Sequence, residues 1–186
     1  MERDATGCHS VESTGVLPTL LIITNKSKLK KACHNNFDPI SNMESAVEDF
    51  GDALEPDGIR IELVYLDDVI GQFNRLGDWQ QQEEMRKYVH NRYQSSAAGD
   101  ELASLLILGN DECVPFYRVS DPDHLIVSDG YISSDDPYVA FSSDLKHRYD
   151  VTQDYVPPDI PVGRMPNSAD GNIDLILKQL KNATDF

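Results

Sequence analysis

The sequence lacks any long apolar run. No hydrophobic stretch approaches the roughly 20 residues that a membrane-spanning helix needs. No apolar signal region follows residues 1–4, so the sequence predicts no secretory signal peptide. We therefore expect a protein without membrane contact and a cytoplasmic location, unless the chain belongs to a longer exported precursor.

Basic residues and cysteines are also scarce. The chain has 16 lysines and arginines against 32 acidic residues, which gives a formal net charge of −16. Such a chain offers no broad basic surface to neutralise phosphates, so a general nucleic-acid binder is excluded. The three cysteines, Cys8, Cys33 and Cys113, are odd in number and widely spaced. They predict neither a disulfide framework nor a zinc knuckle, and they indicate a reducing compartment.

The chain does contain enough apolar sequence for one folded domain. Its 186 residues are 40% hydrophobic, which suffices for a core and argues against disorder. Residues 1–16 are polar and are predicted to form a flexible amino-terminal tail. The folded domain is therefore expected to span residues 17–186.

Short apolar runs alternate with amphipathic segments along this domain. Continuous or alternating apolar residues predict strands, and apolar residues at helical spacing predict helices. The alternating order predicts an α/β fold, a three-layer α-β-α arrangement around a mostly parallel sheet. The predicted strands are residues 20–23, 59–66, 102–108 and 160–162, with a short one at 137–141, and the predicted helices are 41–54, 78–95 and one from 167 onward.

The long segment 111–159, between the third and fourth main strands, is strongly acidic. It holds eleven acidic and three basic residues, so it supplies half of the net charge. Calcium takes six to eight oxygen ligands from carboxylates and carbonyls, so such an ion could order this segment. No EF-hand spacing is present, and a merely solvated acidic loop is the alternative. The candidate calcium ligands are Asp129, Asp135, Asp136 and Asp154.

A cysteine nucleophile is not evident from the residues. Cys113 follows Asp111 and Glu112, and neighbouring carboxylates raise a thiol pKa and disfavour the reactive thiolate. We therefore expect Cys113 to be a small buried residue. Catalysis by Cys113 with His90 or His124 is the less favoured alternative.

Four motifs stand out between residues 105 and 166. Residues 105–115 combine an apolar strand with a following Gly-Asn-Asp-Glu-Cys-Val-Pro turn, and this pattern resembles the third strand and turn of the gingipain-like cysteine peptidases. Ser-Asp-Gly-Tyr at 128–131 and Asp-Asp-Pro-Tyr at 135–138 look like two further family elements. Pro-Asp-Ile-Pro-Val-Gly-Arg-Met-Pro at 158–166 is close to the family's Pro-Asp-Ile-Ala-Val-Gly-Arg-x-Pro signature and is the most specific of the four. The resemblance covers residues 17–186.

The resemblance implies a caspase-like fold and a place in the first half of a two-part catalytic unit. The family's catalytic His lies in a Gly-His-Gly turn after a strand, and its Cys follows the next strand, both in the second half. At the equivalent places this chain has Asn110-Asp111 and Gly163-Arg164, so no catalytic residue is carried over. The implied function is the non-catalytic amino-terminal half of a cysteine endopeptidase, and the alternative is a pseudo-peptidase that binds a partner protein.

The same resemblance sets the expectations for partners and cofactors. The partner would be a carboxy-terminal catalytic half or a second chain, and a protein or peptide substrate would bind through that half. No cofactor is required, and calcium binding by family members adds weight to the acidic segment. Arg164 and Asp159 are assigned structural roles, because an arginine beside Asp159, with Asp135 and Asp136 as further candidates, can pin a loop to the sheet through bidentate bonds to carboxylates.

Overall fold

The computed structural model describes residues 17–32, 39–95, 100–120, 131–141, 157–168 and 172–185. The predicted tail 1–16 lies outside these ranges. The strands are β1 (Leu17–Thr24), β2 (Arg60–Tyr65), β3 (Asp100–Leu108), β4 (Tyr117–Ser120), β5 (Tyr131–Ser134) and β6 (Val162–Met165). The helices are α1 (Lys26–Ala32), α2 (Pro39–Leu54), α3 (Leu66–Val69), α4 (Asp78–Gln94) and α5 (Asp174–Thr184).

Four strands form one parallel sheet in the order β2-β1-β3-β6. Strand β1 lies inside this sheet, and its residues Leu21, Ile22 and Ile23 are fully buried. Helices cover both faces of the sheet, so a continuous apolar run is the pattern that an interior strand requires. The predicted α/β fold with a mostly parallel sheet is confirmed.

The helices form the two outer layers. Helix α2 links β1 to β2, and α4 links β2 back to β3 in the opposite direction across the sheet. Right-handed crossovers in opposite directions place these two helices on opposite faces. Helix α5 packs against α2, and a 3-10 turn at Asp136–Val139 packs against α4. The result is a three-layer domain, consistent with the caspase-like arrangement expected from the sequence.

One prediction in the acidic segment is wrong, and one hairpin there was not predicted. Residues 136–139 form the 3-10 turn instead of a strand, because Pro137 has no N–H for a ladder and favours the first turn of a helix. Strands β4 and β5, which the sequence did not indicate, pair as an antiparallel hairpin apart from the main sheet. Its four-residue strands are too short for a periodic signal.

The boundaries of the last elements also differ from the prediction. The fourth strand of the sheet is 162–165 instead of 160–162, and Pro161 contributes only its carbonyl, which accepts from the Leu105 amide at 3.0 Å. Helix α5 begins at Asp174, well after residue 167. Within the described ranges, no helix combines the length and the hydropathy that crossing a bilayer would require.

Candidate functional site at the carboxyl edge of the sheet

The order of the sheet reverses between β1 and β3, and open α/β sheets bind ligands outside the carboxyl ends of the strands at such a point. In this domain, hydrogen bonds within the protein form at that point. The Thr24 hydroxyl donates to the Leu108 carbonyl at 2.7 Å. The Asn110 amide donates to the side-chain oxygen of Asn167 at 2.6 Å, which ties the end of β3 to the residues after β6.

The turn after β3 is held by its own polar side chains. The Asn110 side-chain oxygen accepts from the amides of Glu112 at 3.1 Å and Cys113 at 3.3 Å. The Asp111 carboxylate accepts from the Phe116 amide at 2.7 Å and pairs with Arg118. The side chains of both residues after β3 therefore shape the turn.

Arg164 lies at the centre of the hydrogen bonds that link the residues at the carboxyl edge of the sheet. Its guanidinium makes a bidentate pair with the Asp135 carboxylate, with Nε to Oδ2 at 2.8 Å and Nη2 to Oδ1 at 2.5 Å. Its remaining bonds, from Nη1, go to the carbonyls of Gly109 at 3.0 Å, Asn110 at 3.3 Å and Val114 at 2.8 Å. The side chains of Arg164 and Asp135 are only 6% and 12% exposed, so this is a buried ion pair.

The guanidinium of Arg164 also stacks on an aromatic ring. Its central carbon lies 3.8 Å from the centroid of the Phe116 ring, a distance at which the cation is attracted by the ring electrons. Arg164 therefore joins three parts of the chain, namely β6, the turn after β3 and the segment that carries Asp135. These contacts of Arg164 hold the carboxyl edge of the sheet together.

Asp159 lies apart from Arg164 and closes a different contact. Its carboxylate accepts from the Phe141 amide, and its own amide donates to the Val139 carbonyl at 2.9 Å. These bonds join residues 139–141 to the start of the segment that leads into β6. Of the acids named from the sequence, Asp135 is the one that pairs with Arg164, and Asp159 instead bonds to the neighbouring segment 139–141.

The structure bears only in part on the candidate calcium ligands. Asp129 and Asp154 lie outside the described residues. Both carboxylate oxygens of Asp135 bond to Arg164, so a cation already balances its charge. Asp136 is half-buried beside it, and its amide donates to the Ser134 hydroxyl at 3.2 Å. Across the described ranges, no group of three or more His, Cys, Asp or Glu side chains is placed to hold a metal ion.

Cys113 is buried beneath the turn after β3, as expected, with 2% of its surface exposed. Burial raises the pKa of the thiol to about 11, so the thiolate is rare at neutral pH. His90, one of the suggested partners, stacks on the Phe141 ring at 5.4 Å between centroids. The other, His124, lies outside the described residues. The surroundings of Cys113 are those of a packing residue.

We expect Cys113 to resist alkylation in the folded protein. With a pKa of about 11, about one thiol in a thousand is ionised at pH 8. In a Cys8→Ser/Cys33→Ser background, iodoacetamide should label Cys113 only after denaturation, as followed by mass spectrometry. Rapid labelling of the native protein at pH 8 would contradict this prediction.

Several residues that build the site escaped the sequence analysis. The guanidinium of Arg86 on α4 donates to the carbonyls of Pro137 at 3.1 Å and Ala140 at 2.9 Å. The buried Tyr138 hydroxyl donates to the Pro115 carbonyl. Both contacts join residues far apart in sequence, so no local pattern could have revealed them.

The fold defines an α/β domain of the three-layer class, and structural hydrogen bonds link the described residues at the carboxyl edge of its sheet. The profile of Peptidase family C25 matches residues 16–184, and the chain belongs to this family of gingipain-like peptidases. A search of curated proteins finds no match. A solved structure described as "Structure of Protease" aligns with 90% of this chain and 27% of its own, at 16% identity and a TM-score of 0.48.

Proposed function

We propose that this domain is the non-catalytic amino-terminal half of a gingipain-like cysteine endopeptidase. It would support a second half that carries the catalytic His and Cys. The observation that carries the proposal is the pair of places, after β3 and on β6, that correspond by fold to those that bear the family's His and Cys in the second half. Here they hold Asn110 and Arg164, and both side chains are bonded within the protein.

The chemistry of the described residues supports this division of labour. A cysteine peptidase needs a thiolate, a base within hydrogen-bond reach and donors aimed at the developing oxyanion. The described thiol, that of Cys113, is buried and has a raised pKa. The Arg164 guanidinium donates to backbone carbonyls and to the Asp135 carboxylate. The domain can thus supply rigidity to a partner without supplying a reacting group.

The alternative is a pseudo-peptidase that uses the same fold to bind a partner protein. The closed network around Arg164 supports this alternative as well, because it makes the carboxyl edge self-sufficient. The two functions differ in what a second half adds, since only the first predicts proteolysis by the assembled protein.

The test compares the isolated chain with the chain co-expressed with its coding continuation. We expect no hydrolysis of labelled casein by the 186-residue chain alone, and hydrolysis when a half bearing His and Cys is present. Casein cleavage by the isolated chain that disappears in Cys113→Ala would overturn the proposal. A continuation without such a half would favour the interaction module.

We also propose that calcium stabilises the acidic segment, through Asp136 together with Asp129 and Asp154. A ligand that binds only the folded state stabilises it by about 2.7 kcal/mol when the free ligand concentration is one hundred times the dissociation constant, and the melting temperature rises accordingly. Millimolar calcium should therefore shift the thermal transition upward, and a chelator should reverse the shift. Magnesium at equal concentration controls for ionic strength, and identical melting curves in all three conditions would refute calcium binding.

A further inference from the structure

The outer edge of the main sheet, at β6, is unpaired within the described part of the chain. The sheet ends at β6, which has β3 as its neighbour on one side. The Leu105 amide donates to the Pro161 carbonyl at 3.0 Å. The Gly109 amide donates to the Met165 carbonyl at 2.9 Å. Because backbone groups alternate in direction along a strand, residues 161, 163 and 165 face β3, and residues 162 and 164 face outward.

Two residues of β6 therefore present backbone groups at this edge. The N–H and C=O groups of Val162 and Arg164 point away from β3, and neither residue makes a backbone hydrogen bond on that side in the described ranges. Gly163 lies between them, is exposed and has no side chain that could cover the edge. An unpaired strand edge of this kind is a template for pairing with a strand of another chain.

Strand β6 also lacks the exposed charge with which proteins commonly prevent such pairing. Lysines and other charged side chains often protect an edge strand. The ionisable residue of β6 is Arg164, whose side chain is 6% exposed and bonded to Asp135. The other residues of β6 are Val162, Gly163 and Met165. The strand therefore presents no exposed charge to a partner, although the whole chain carries a charge of −16.

An antiparallel copy of β6 fits this edge in a defined register. When Val162 lies opposite Arg164 of a second copy, each of the two symmetric pairs exchanges both of its N–H···O bonds. Gly163 then faces the same glycine of the second copy across a two-fold axis. This is a non-hydrogen-bonded position, where the Cα atoms approach to about 4.5 Å. Pro166, at the next outward position, has no N–H, so it cannot extend the pairing past residue 164.

We propose that this chain forms a two-fold symmetric dimer in which the two β6 strands pair antiparallel and join the two sheets into one. The occupant of the edge is a second copy, because the donors, the acceptors and the central glycine match one another under a two-fold rotation. The inference uses the geometry of β6 and does not depend on peptidase activity.

The charge of the chain makes this dimer dependent on salt. Two copies that each carry −16 repel one another. Salt screens that repulsion, since the Debye length falls from about 30 Å at ~0.01 M to about 3 Å at ~1 M ionic strength. Dimerisation should therefore strengthen as the salt concentration rises.

The first experiment measures the mass of the 186-residue chain by light scattering, over a series of protein concentrations at low and at high salt. At high salt the mass should approach twice that of the monomer. Val162→Pro removes an outward N–H and leaves the bonds to β3, so the midpoint of dimerisation should move about tenfold or more to higher protein concentration. Val162→Ala is the matched control, because it shortens the same side chain and keeps the N–H. It should dimerise like the wild-type chain, and thermal melting should show both variants folded.

Cysteine cross-linking tests the register without a proline. In a Cys8→Ser/Cys33→Ser background, Gly163→Cys places two thiols opposite one another at the two-fold axis, so mild oxidation should give a disulfide-linked dimer on a non-reducing gel. A Cβ at Gly163 meets Leu106 Cδ1 at 3.9 Å, an ordinary contact, so this variant should fold. Met165→Cys is the control, since in this register it faces residue 161 of the second copy and should give little linked dimer.

Four results would overturn the β6 dimer. The first is a monomer at every protein and salt concentration. The second is equal association of Val162→Pro and the wild-type chain, and the third is equal cross-linking of Gly163→Cys and Met165→Cys. The fourth is growth of the mass beyond the dimer, because a two-fold contact closes on itself.

Discussion

Replacing Arg164 with methionine is expected to lower the free energy of unfolding by about 3–5 kcal/mol. The substitution leaves the Asp135 carboxylate buried without its cation and removes donors from three backbone carbonyls. An uncompensated buried charge is the costliest product of breaking such a pair. Urea unfolding followed by the fluorescence of Trp79, the single tryptophan of the chain, measures the loss.

Two further variants test the cause of that loss. Arg118→Met removes the arginine of an ion pair in which the side chains of Arg118 and Asp111 are 45% and 44% exposed. The loss of an exposed pair should lower the free energy of unfolding by only about 0–1 kcal/mol. Adding Asp135→Leu to Arg164→Met should recover part of the stability, because the orphan carboxylate is removed. Equal losses in Arg164→Met and Arg118→Met would show that Arg164 is not the anchor of the carboxyl edge.

Replacing Gly109 with alanine is expected to cost about 3 kcal/mol or more. Gly109 has φ of 117°, a region in which a residue with a side chain is strained. A Cβ there would also lie 2.6 Å from the Cβ of Cys113, and the backbone of the turn would have to shift. The same turn carries all three carbonyls bound by Arg164, so the substitution should also weaken the Arg164 hydrogen bonds.

Gly71→Ala is the matched control for Gly109→Ala. Gly71 has no atom within 4 Å of the new Cβ and lacks a positive φ, so the change should be neutral or stabilise by up to about 1 kcal/mol. Adding Cys113→Gly to Gly109→Ala relieves the Cβ contact and leaves the backbone strain, so it should restore only part of the stability. A Gly109→Ala melting temperature equal to that of Gly71→Ala would disprove the prediction.

Sequence reasoning located the elements whose signals are local. Strand β1 is continuously apolar, and α2 repeats its apolar residues at helical spacing, so both were found within a few residues of their observed limits. The string at 158–166 also identified the family, because a long specific string is informative even where the shorter motifs are weak by themselves. The hairpin of β4 and β5 was missed, since four-residue strands carry too little periodicity.

The sequence predicted which residues would build the candidate site, and it did not predict which of them would be in contact. The sequence indicated that Arg164 would bind a carboxylate and named both Asp159 and the 135–136 pair. Only the tertiary structure selected Asp135, because the choice depends on which loop folds back over β6. The amide contact between Asn110 and Asn167 spans 57 residues and has no local signature.

The sequence by itself determined the fold class, the family and the absence of a His and Cys pair at the expected strand ends. These follow from apolar periodicity and from a string that resembles a family signature, which are properties of neighbouring residues. The tertiary structure decided that Asn167 bonds to the end of β3 and that Arg164 pairs with Asp135. Each of these depends on chain segments brought together by packing of the sheet and its helices, and such long-range contacts leave no periodic trace in one sequence.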